Sequence, residues 1–379
     1  MALVLNDDER MVKDTADQFF AEAAPVAELR RLRDSRDPRG FSPDLWARMA
    51  ELGLSGVLVD EAHGGTGLGL MAAGLIAEAM GRTLAAAPFL STSVLAATLL
   101  ARGGSDEQKA RLLPRIAAGG IVIALAGDEV ARHAPARIET RAEAAGNGWR
   151  ITGSKRFVLD GPAADLLVVV ARSSSEPASR EGLSLFLVDP DAPGVTRTPR
   201  PMVDSRAVAD VRLEGVAVDD ADRLGPVDGG WPILEAALDS ARAVLAAEML
   251  GVAGQSFDAT LDYLRTREQF GKPIGSFQAL QHRAAHLFCE LELARSVVMK
   301  ALRALDEGDV RAPVFASLAK AKLGEVTRLA TNEAVQMHGG IGMTDDCDIG
   351  FYMKRARAAA ETFGDTAFHG ERIARIMRY

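Results

Sequence analysis

The sequence predicts a mainly α protein with a central β domain, because two kinds of pattern alternate along its 379 residues. Apolar residues recur at helical spacing in the first and last thirds, whereas short aliphatic runs separated by glycine and proline fill the middle. We therefore predict an N-terminal helical domain over residues 1–120, a middle β domain over 121–225 and a C-terminal helical bundle over 226–379.

The N-terminal domain contains residues that are typical of helix starts and ends. Ser42 is a predicted N-cap with Pro43 at the first helical position. Ser105 is a second predicted N-cap. The helix that it begins is expected to run through Leu113 and to stop near Pro114, because proline inside a helix removes a hydrogen-bond donor.

The middle and C-terminal domains differ in their hydrophobic period. The predicted strands of the middle domain include Leu166–Val170 and Leu183–Val188. In the last third, apolar positions spaced by three or four residues form a seam of about five turns; they are Leu280, Ala284, Leu287, Leu291, Ala294 and Val298. A seam of this length predicts a helical bundle.

The composition excludes several classes of function. The formal net charge is −8, aromatic residues make up 5% and no block of Lys and Arg occurs, so binding to nucleic acid is not expected. The uncharged stretch from Leu84 to Ala101 is interrupted by Pro88, which predicts two buried helices and no membrane span. Cys289 and Cys347 lie far apart, so neither a disulfide nor a metal site is expected. Because the first residues lack the basic and apolar regions of a signal peptide, we expect a cytoplasmic protein.

Several passages, spread over almost the whole chain, carry a resemblance to a known family. They are LWARMAELGLSGVLVDEAHGGTGLG at 45–69, GSDEQKARLLPRIAAGG at 104–120, YLRTREQFGKPI at 263–274 and QMHGGIGMT at 336–344. In this order and spacing they resemble the acyl-CoA dehydrogenase family. The resemblance implies a middle β-barrel, a C-terminal four-helix bundle, bound FAD, an acyl-CoA substrate and an electron-transfer flavoprotein or similar acceptor. It also implies a role in the degradation of fatty acids or steroid side chains.

The C-terminal motifs suit the chemistry of a dinucleotide. Arg267 offers a bidentate guanidinium to a diphosphate, and Gly339 and Gly340 let a backbone approach closely. Amide and aromatic side chains suit the ribose, the adenine edges and the ring faces; they are Gln269, Gln278, Gln336 and Phe270. The resemblance implies that these residues reach the FAD of a neighbouring subunit, so we expect an oligomer.

The middle domain retains less of the flavin site that the resemblance implies. Gly127 stands where the family has a flavin-contacting threonine, and Leu159 lacks a hydroxyl that the family uses. His133 stands where the family has a serine and is a candidate substrate-binding residue. The remaining candidates offer an aromatic face or backbone groups to the flavin; they are Leu125, Phe157 and Val158.

The family's catalytic glutamate is missing from both positions at which members have it. Phe363 occupies one position, and Ala241 occupies the other, just before Arg242, a candidate substrate-binding residue. The family's reaction removes the proton α to the thioester, and neither a phenyl ring nor a methyl group can accept it. The candidates for a relocated base are three carboxylates, those of Asp365, Glu361 and Glu248.

The sequence leaves three explanations open. The chain is an FAD-dependent acyl-CoA dehydrogenase with a relocated base, or a noncatalytic partner subunit that binds FAD and acyl-CoA, or a flavin-dependent oxidase or monooxygenase of the same fold. The second explanation follows a resemblance to small-subunit members whose partner chain supplies the glutamate. A homodimer, a homotetramer or a heterotetramer with a second dehydrogenase chain is expected.

Overall fold

The computed structural model describes residues 3–379 and confirms the predicted succession of helices, strands and helices. The N-terminal helices are α1 (Asp7–Ala23), α2 (Val26–Ser35), α3 (Pro43–Glu51), α4 (Gly69–Thr83), α5 (Ala97–Gly103) and α6 (Asp106–Ala117). The C-terminal helices are α7 (Gly230–Thr266), α8 (Gln278–Asp306), α9 (Ala312–His338), α10 (Ile349–Glu361) and α11 (Thr366–Met377). Helices α7, α8 and α9 are long, whereas α10 and α11 are short and are separated by a turn of the backbone.

The predicted middle β domain is confirmed as a single mixed sheet of eight strands. The strands are β1 (Ile123–Ala126), β2 (Arg141–Ala145), β3 (Gly148–Leu159), β4 (Leu166–Arg172), β5 (Leu183–Val188), β6 (Val195–Pro201), β7 (Ala207–Asp219) and β8 (Arg223–Leu224). The sheet order is β6-β7-β3-β2-β4-β5-β8, and β1 pairs with β4 in parallel. Its buried core includes Ile151, Val169, Phe186 and Leu213.

Packing divides the chain into two units. The first contains the segment that ends at Arg30, together with Leu70–Ala85 and Arg242–Tyr379. The second contains Arg31–Gly69 and Ala86–Ala241. Helix α4 therefore packs with the C-terminal bundle, whereas α3, α5 and α6 belong to the unit that contains the sheet.

Both predicted N-caps are confirmed, but the predicted stop of α6 is wrong. The Ser105 hydroxyl accepts a hydrogen bond from the Gln108 N–H at 3.2 Å, as a cap should. The helix then continues through Pro114 to Ala117. Burial of the Ile116 side chain on this turn outweighs the hydrogen bond that proline removes.

The uncharged stretch near Pro88 is buried, as predicted, but it is not two ordinary helices. Helix α4 ends at Thr83, and a π-helical segment over Phe89–Ala96 leads directly into α5. Within residues 3–379, no helix is long and apolar enough to cross a membrane.

Helices α4 and α7 cross at backbone contact distance. A Cβ atom at Gly251 would lie 1.9 Å from the carbonyl oxygen of Glu78, and one at Gly81 would lie 2.1 Å from that of Glu248. Glycine is therefore required on both helices. This crossing fixes the middle of α7 against α4.

Candidate functional site

The residues predicted to bind a dinucleotide lie at one end of the C-terminal bundle, and we call them the C-terminal polar cluster. They are Arg267, Gln269, Phe270, Gln278, Gln336, Gly339 and Gly340, and all are exposed. Two very short strands, β9 (Glu268–Gln269) and β10 (Lys272–Pro273), form the hairpin that presents the first of them. The others lie at the start of α8 and at the end of α9.

Two contacts bring these separate motifs together. The rings of Tyr263, near the end of α7, and His338, at the end of α9, stack with their centroids 4.4 Å apart. The Arg283 guanidinium of α8 lies 2.6 Å from the Glu333 carboxylate of α9. The hairpin after Tyr263 and the glycine turn after His338 are therefore neighbours, although more than 60 residues separate them in the sequence.

The C-terminal polar cluster faces away from its own chain. Within residues 3–379, the Arg267 guanidinium makes no hydrogen bond or ion pair, and Phe270 is 92% exposed. Gly339 has φ +66°, a conformation that favours glycine, and a Cβ atom at Gly339 or Gly340 would meet nothing of this chain within 4 Å. A guanidinium, three amides, an aromatic ring and open backbone form a donor set that fits the diphosphate and adenosine of a dinucleotide.

The predicted residues of the middle domain lie on β1, on β3 and in the loop that follows β1. The Asp128 carbonyl accepts a hydrogen bond from the Arg156 N–H at 2.8 Å, which places the loop after β1 beside β3. Phe157, on β3, is 41% exposed and has φ +52° at an irregularity in the strand pairing. Val158 is buried in the sheet core, so only its backbone is available to a ligand.

A buried polar network that the sequence reasoning missed holds this loop. The Lys155 ammonium is wholly buried and donates to the Glu129 carboxylate at 2.6 Å. Burial lowers the pKa of Lys155 to about 8, although Glu129 opposes that shift. The His133 imidazole lies 2.7 Å from the Asp128 carboxylate. Burial raises the pKa of Asp128, but the charge and hydrogen bond of His133 outweigh it and keep that pKa below its ordinary value.

The two positions at which the family has its catalytic glutamate are occupied by Phe363 and Ala241. Phe363 lies in the turn between α10 and α11 with φ +58°, and Ala241 is fully buried on α7. The Arg242 side chain is also buried, and its Nε donates to the Phe363 carbonyl at 3.2 Å. Arg242, predicted to bind substrate, thus binds the backbone of the turn.

The three candidate carboxylates are not equivalent. Glu248 is buried and lies 3.0 Å from the Arg355 guanidinium. Asp365 caps α11 by accepting from the Phe368 N–H at 2.7 Å. Glu361 is exposed and lines, with Asp365, a cavity of about 300 Å³ between α9, α10 and α11. Within residues 3–379, no group of three or more His, Cys, Asp or Glu side chains could hold a metal ion.

Comparison with known proteins decides the family. The sequence matches the N-terminal domain of acyl-CoA dehydrogenases over residues 6–120, the middle domain over 125–220 and the C-terminal domain over 228–378. The chain belongs to the acyl-CoA dehydrogenase family. FAD is the cofactor of this family. The binding of FAD by the C-terminal polar cluster of this acyl-CoA dehydrogenase chain stays a prediction. The domain boundaries at residues 120 and 225 stay predictions.

Individual relatives are similar over nearly the full chain. The mitochondrial short/branched chain specific acyl-CoA dehydrogenase of Bos taurus is 31% identical over 98% of this chain and 86% of its own. The solved structure of a variant of the Tcur3481-Tcur3483 steroid ACAD is 32% identical, with a TM-score of 0.88 over 98% of both chains. The ChsE4-ChsE5 complex from Mycobacterium tuberculosis is 27% identical, with a TM-score of 0.90 over 100% of this chain and 99% of its own.

Proposed function

We propose that this chain is one subunit of a heteromeric FAD-dependent acyl-CoA dehydrogenase in which a second chain supplies the catalytic carboxylate. The observation that carries the proposal is the side chain at position 363, a phenylalanine in the turn where the family has its glutamate. Proton abstraction α to a thioester needs a carboxylate in contact with the substrate. This chain presents none at either of the two family positions.

The arrangement of the remaining carboxylates supports the same proposal. A base must be able to exchange its proton with the substrate, whereas Glu248 is committed to a buried ion pair with Arg355. Asp365 is committed to the first turn of α11, which would lose its cap if the carboxylate turned away. Glu361 remains, and it is exposed to solvent at the end of α10 rather than enclosed in a dry site.

The C-terminal polar cluster supports a role in binding FAD together with a neighbouring chain. In this role Arg267 binds the diphosphate, the glutamine amides bind ribose and adenine, and the glycine turn accommodates the backbone approach. Bound FAD supplies the acceptor for the hydride that leaves the β carbon of the acyl group. An exposed cluster suits a site shared between subunits, because its own chain leaves the binding groups uncovered.

Two of the similar structures have names that join two chains, which also favours a heteromer. They are the Tcur3481-Tcur3483 steroid ACAD and the ChsE4-ChsE5 complex. By this similarity we propose a bulky acyl-CoA substrate such as a steroid side chain, and an electron-transfer flavoprotein as acceptor. We propose a cytoplasmic location for the assembly.

The test compares the chain alone with the assembly that copurifies with it from its own organism. Acyl-CoA is added without oxygen, and the visible flavin absorbance is followed. We expect bleaching by the assembly and none by the isolated chain, because the isolated chain lacks a base. Rapid bleaching by the isolated chain would instead establish a relocated base and overturn the heteromer.

A further inference from the structure

Two buried basic side chains, one on α9 and one on α7, donate hydrogen bonds to backbone carbonyls at the turn between α10 and α11. The Lys320 Nζ of α9 donates to the carbonyl oxygens of Ala360 at 2.8 Å and Gly364 at 2.9 Å. The Arg242 Nε of α7 donates to the carbonyl of Phe363 at 3.2 Å. Lys320 and Arg242 are each 1% exposed. We call these two residues the carbonyl clamp.

Burial of the two clamp side chains costs free energy, so their hydrogen bonds to the carbonyl oxygens must be strongly favourable. Two positive groups that lie near each other inside a helical bundle repel, and each loses its hydration. Burial and the neighbouring Arg242 lower the pKa of Lys320 to about 7, while Glu361 and Asp365 oppose that shift. An apolar side chain could fill the same space without this cost, so volume alone does not explain a lysine at this position.

The turn that the clamp holds has an unusual backbone. Phe363 has φ +58° and Gly364 has φ +112°. A bulky residue such as phenylalanine rarely adopts positive φ, and this conformation persists only where the surroundings impose it. The Gly364 N–H donates to the Glu361 carbonyl at 3.3 Å, and Asp365 caps the next helix. The clamp and these bonds together fix the turn from residue 360 to residue 365.

The fixed turn also borders a cavity of the size that ligands occupy. Glu361, Asp365 and Thr366 line the cavity of about 300 Å³ together with Arg328 and Arg357. A change in the turn would therefore alter a concave surface as well as the end of α10.

We propose that Lys320 and Arg242 are positioning residues that hold the 361–365 turn in one backbone conformation and so preserve the geometry in which residue 363 is presented to the acyl-CoA site. The inference rests on the proposed function only for the identity of that site. The clamp acts on carbonyl oxygens rather than on the side chain at 363. It therefore operates whether that side chain is a carboxylate or, as here, a phenyl ring.

Amide hydrogen exchange of the purified assembly tests the clamp without reference to activity. In Lys320→Met, we expect the amides of residues 362–368 to exchange at least about tenfold faster, while α8 exchanges as in the wild type. Lys320→Arg, which keeps the charge and the donors, should restore most of the protection. Lys322→Met is the matched control, because Lys322 lies on the same helix in a partly exposed pair with Glu290. Unchanged exchange of the turn in Lys320→Met overturns the inference.

Flavin bleaching by acyl-CoA gives the second readout. We expect Lys320→Met to lower the bleaching rate at saturating acyl-CoA by about tenfold, with the half-saturating concentration within about twofold. If Lys320→Met does not assemble, Arg242→Met takes its place in both measurements. If even the wild-type assembly fails to bleach, the proposed function is wrong, but the exchange experiment still decides whether the clamp holds the turn.

Discussion

The C-terminal polar cluster and the turn between α10 and α11 belong to the same unit. They differ in how far each matches the pattern that the family resemblance implies. The cluster keeps every polar group that the family resemblance implies, and those groups are exposed. The turn is bound by Lys320 and Arg242, but Phe363 stands where the family has its glutamate. A chain with the predicted cofactor-binding groups on its surface, and with no glutamate at either family position, fits the proposal that it completes a site together with another subunit.

The comparison between the cluster and the turn assumes that Glu248 is structural and is not the base. Of the changes that test it, Glu248→Gln is expected to have the largest effect, a loss of stability. The substitution removes the carboxylate charge from a buried ion pair with Arg355, so the free energy of unfolding should fall by about 3 kcal/mol. Urea unfolding measures this loss, and Asp262→Asn, in an exposed pair with Arg265, should cost less than about 1 kcal/mol. If Glu248→Gln instead keeps full stability and abolishes flavin bleaching, Glu248 is the base. The chain would then have its own base, which contradicts the comparison.

The next effect concerns FAD binding by the cluster. Arg267→Ala removes a charge-assisted contact to the diphosphate, and we expect the affinity of the assembly for FAD to fall by about 30-fold. Flavin released on dilution and the absorbance ratio of flavin to protein measure the change. Arg265→Ala is the control, because Arg265 is also exposed but lies two residues earlier, in a pair with Asp262. Equal loss of FAD in both variants would count against a specific role for Arg267.

A pH dependence of the free energy of unfolding, of similar size, is expected from the carbonyl clamp and not from the C-terminal polar cluster. The pKa of Lys320 is about 7 in the folded chain and 10.5 ordinarily, so the unfolded state binds more protons between these values. Stability should therefore rise with pH through this range, by about 2 kcal/mol between pH 7 and pH 9. Lys320→Met should lack this part of the rise, and the difference between the two urea-unfolding profiles isolates it. Parallel profiles would show that Lys320 keeps its ordinary pKa in the folded chain.

The smallest effect, on the rate of flavin bleaching, is expected from changes to Glu361 and Asp365, the two carboxylates at the turn. A Glu361→Gln, Asp365→Asn double variant keeps the volume of both side chains and an acceptor for the cap of α11. Its rate of flavin bleaching in the assembly should stay within about twofold of the wild type. Loss of a general base costs about a hundredfold or more, so a drop of that size would identify one of these carboxylates as the base.

The fold was largely predictable because hydrophobic period is a local property of the sequence. Helical spacing at both ends and aliphatic runs in the middle identified the order of the segments. The error at Pro114 arose because burial of the following turn is a tertiary effect that no local signal reports. The turn between α10 and α11 was not predicted for a similar reason, since a left-handed phenylalanine at position 363 has no sequence signature.

The site was predictable only where it consists of contiguous motifs. The C-terminal polar cluster comes from two such motifs and from Gln278, which follows the first of them, and its role toward a neighbour stays a prediction. The clamp was missed because Lys320 meets the carbonyls of residues 360 and 364 only after the chain turns back along α10. A lysine among apolar residues of a helix was the available signal, but nothing in the sequence identifies its acceptors.

The crossing of α4 and α7 constrains how this protein can diverge or be engineered. Because Gly81 and Gly251 leave no space for even one methyl group, a saturation library should return only glycine at these two positions. That intolerance would look like catalytic importance in a mutational screen, although neither glycine has a side chain that could take part in chemistry. Changes of substrate preference must therefore be sought at other positions, with this pair left intact as an anchor for the helix.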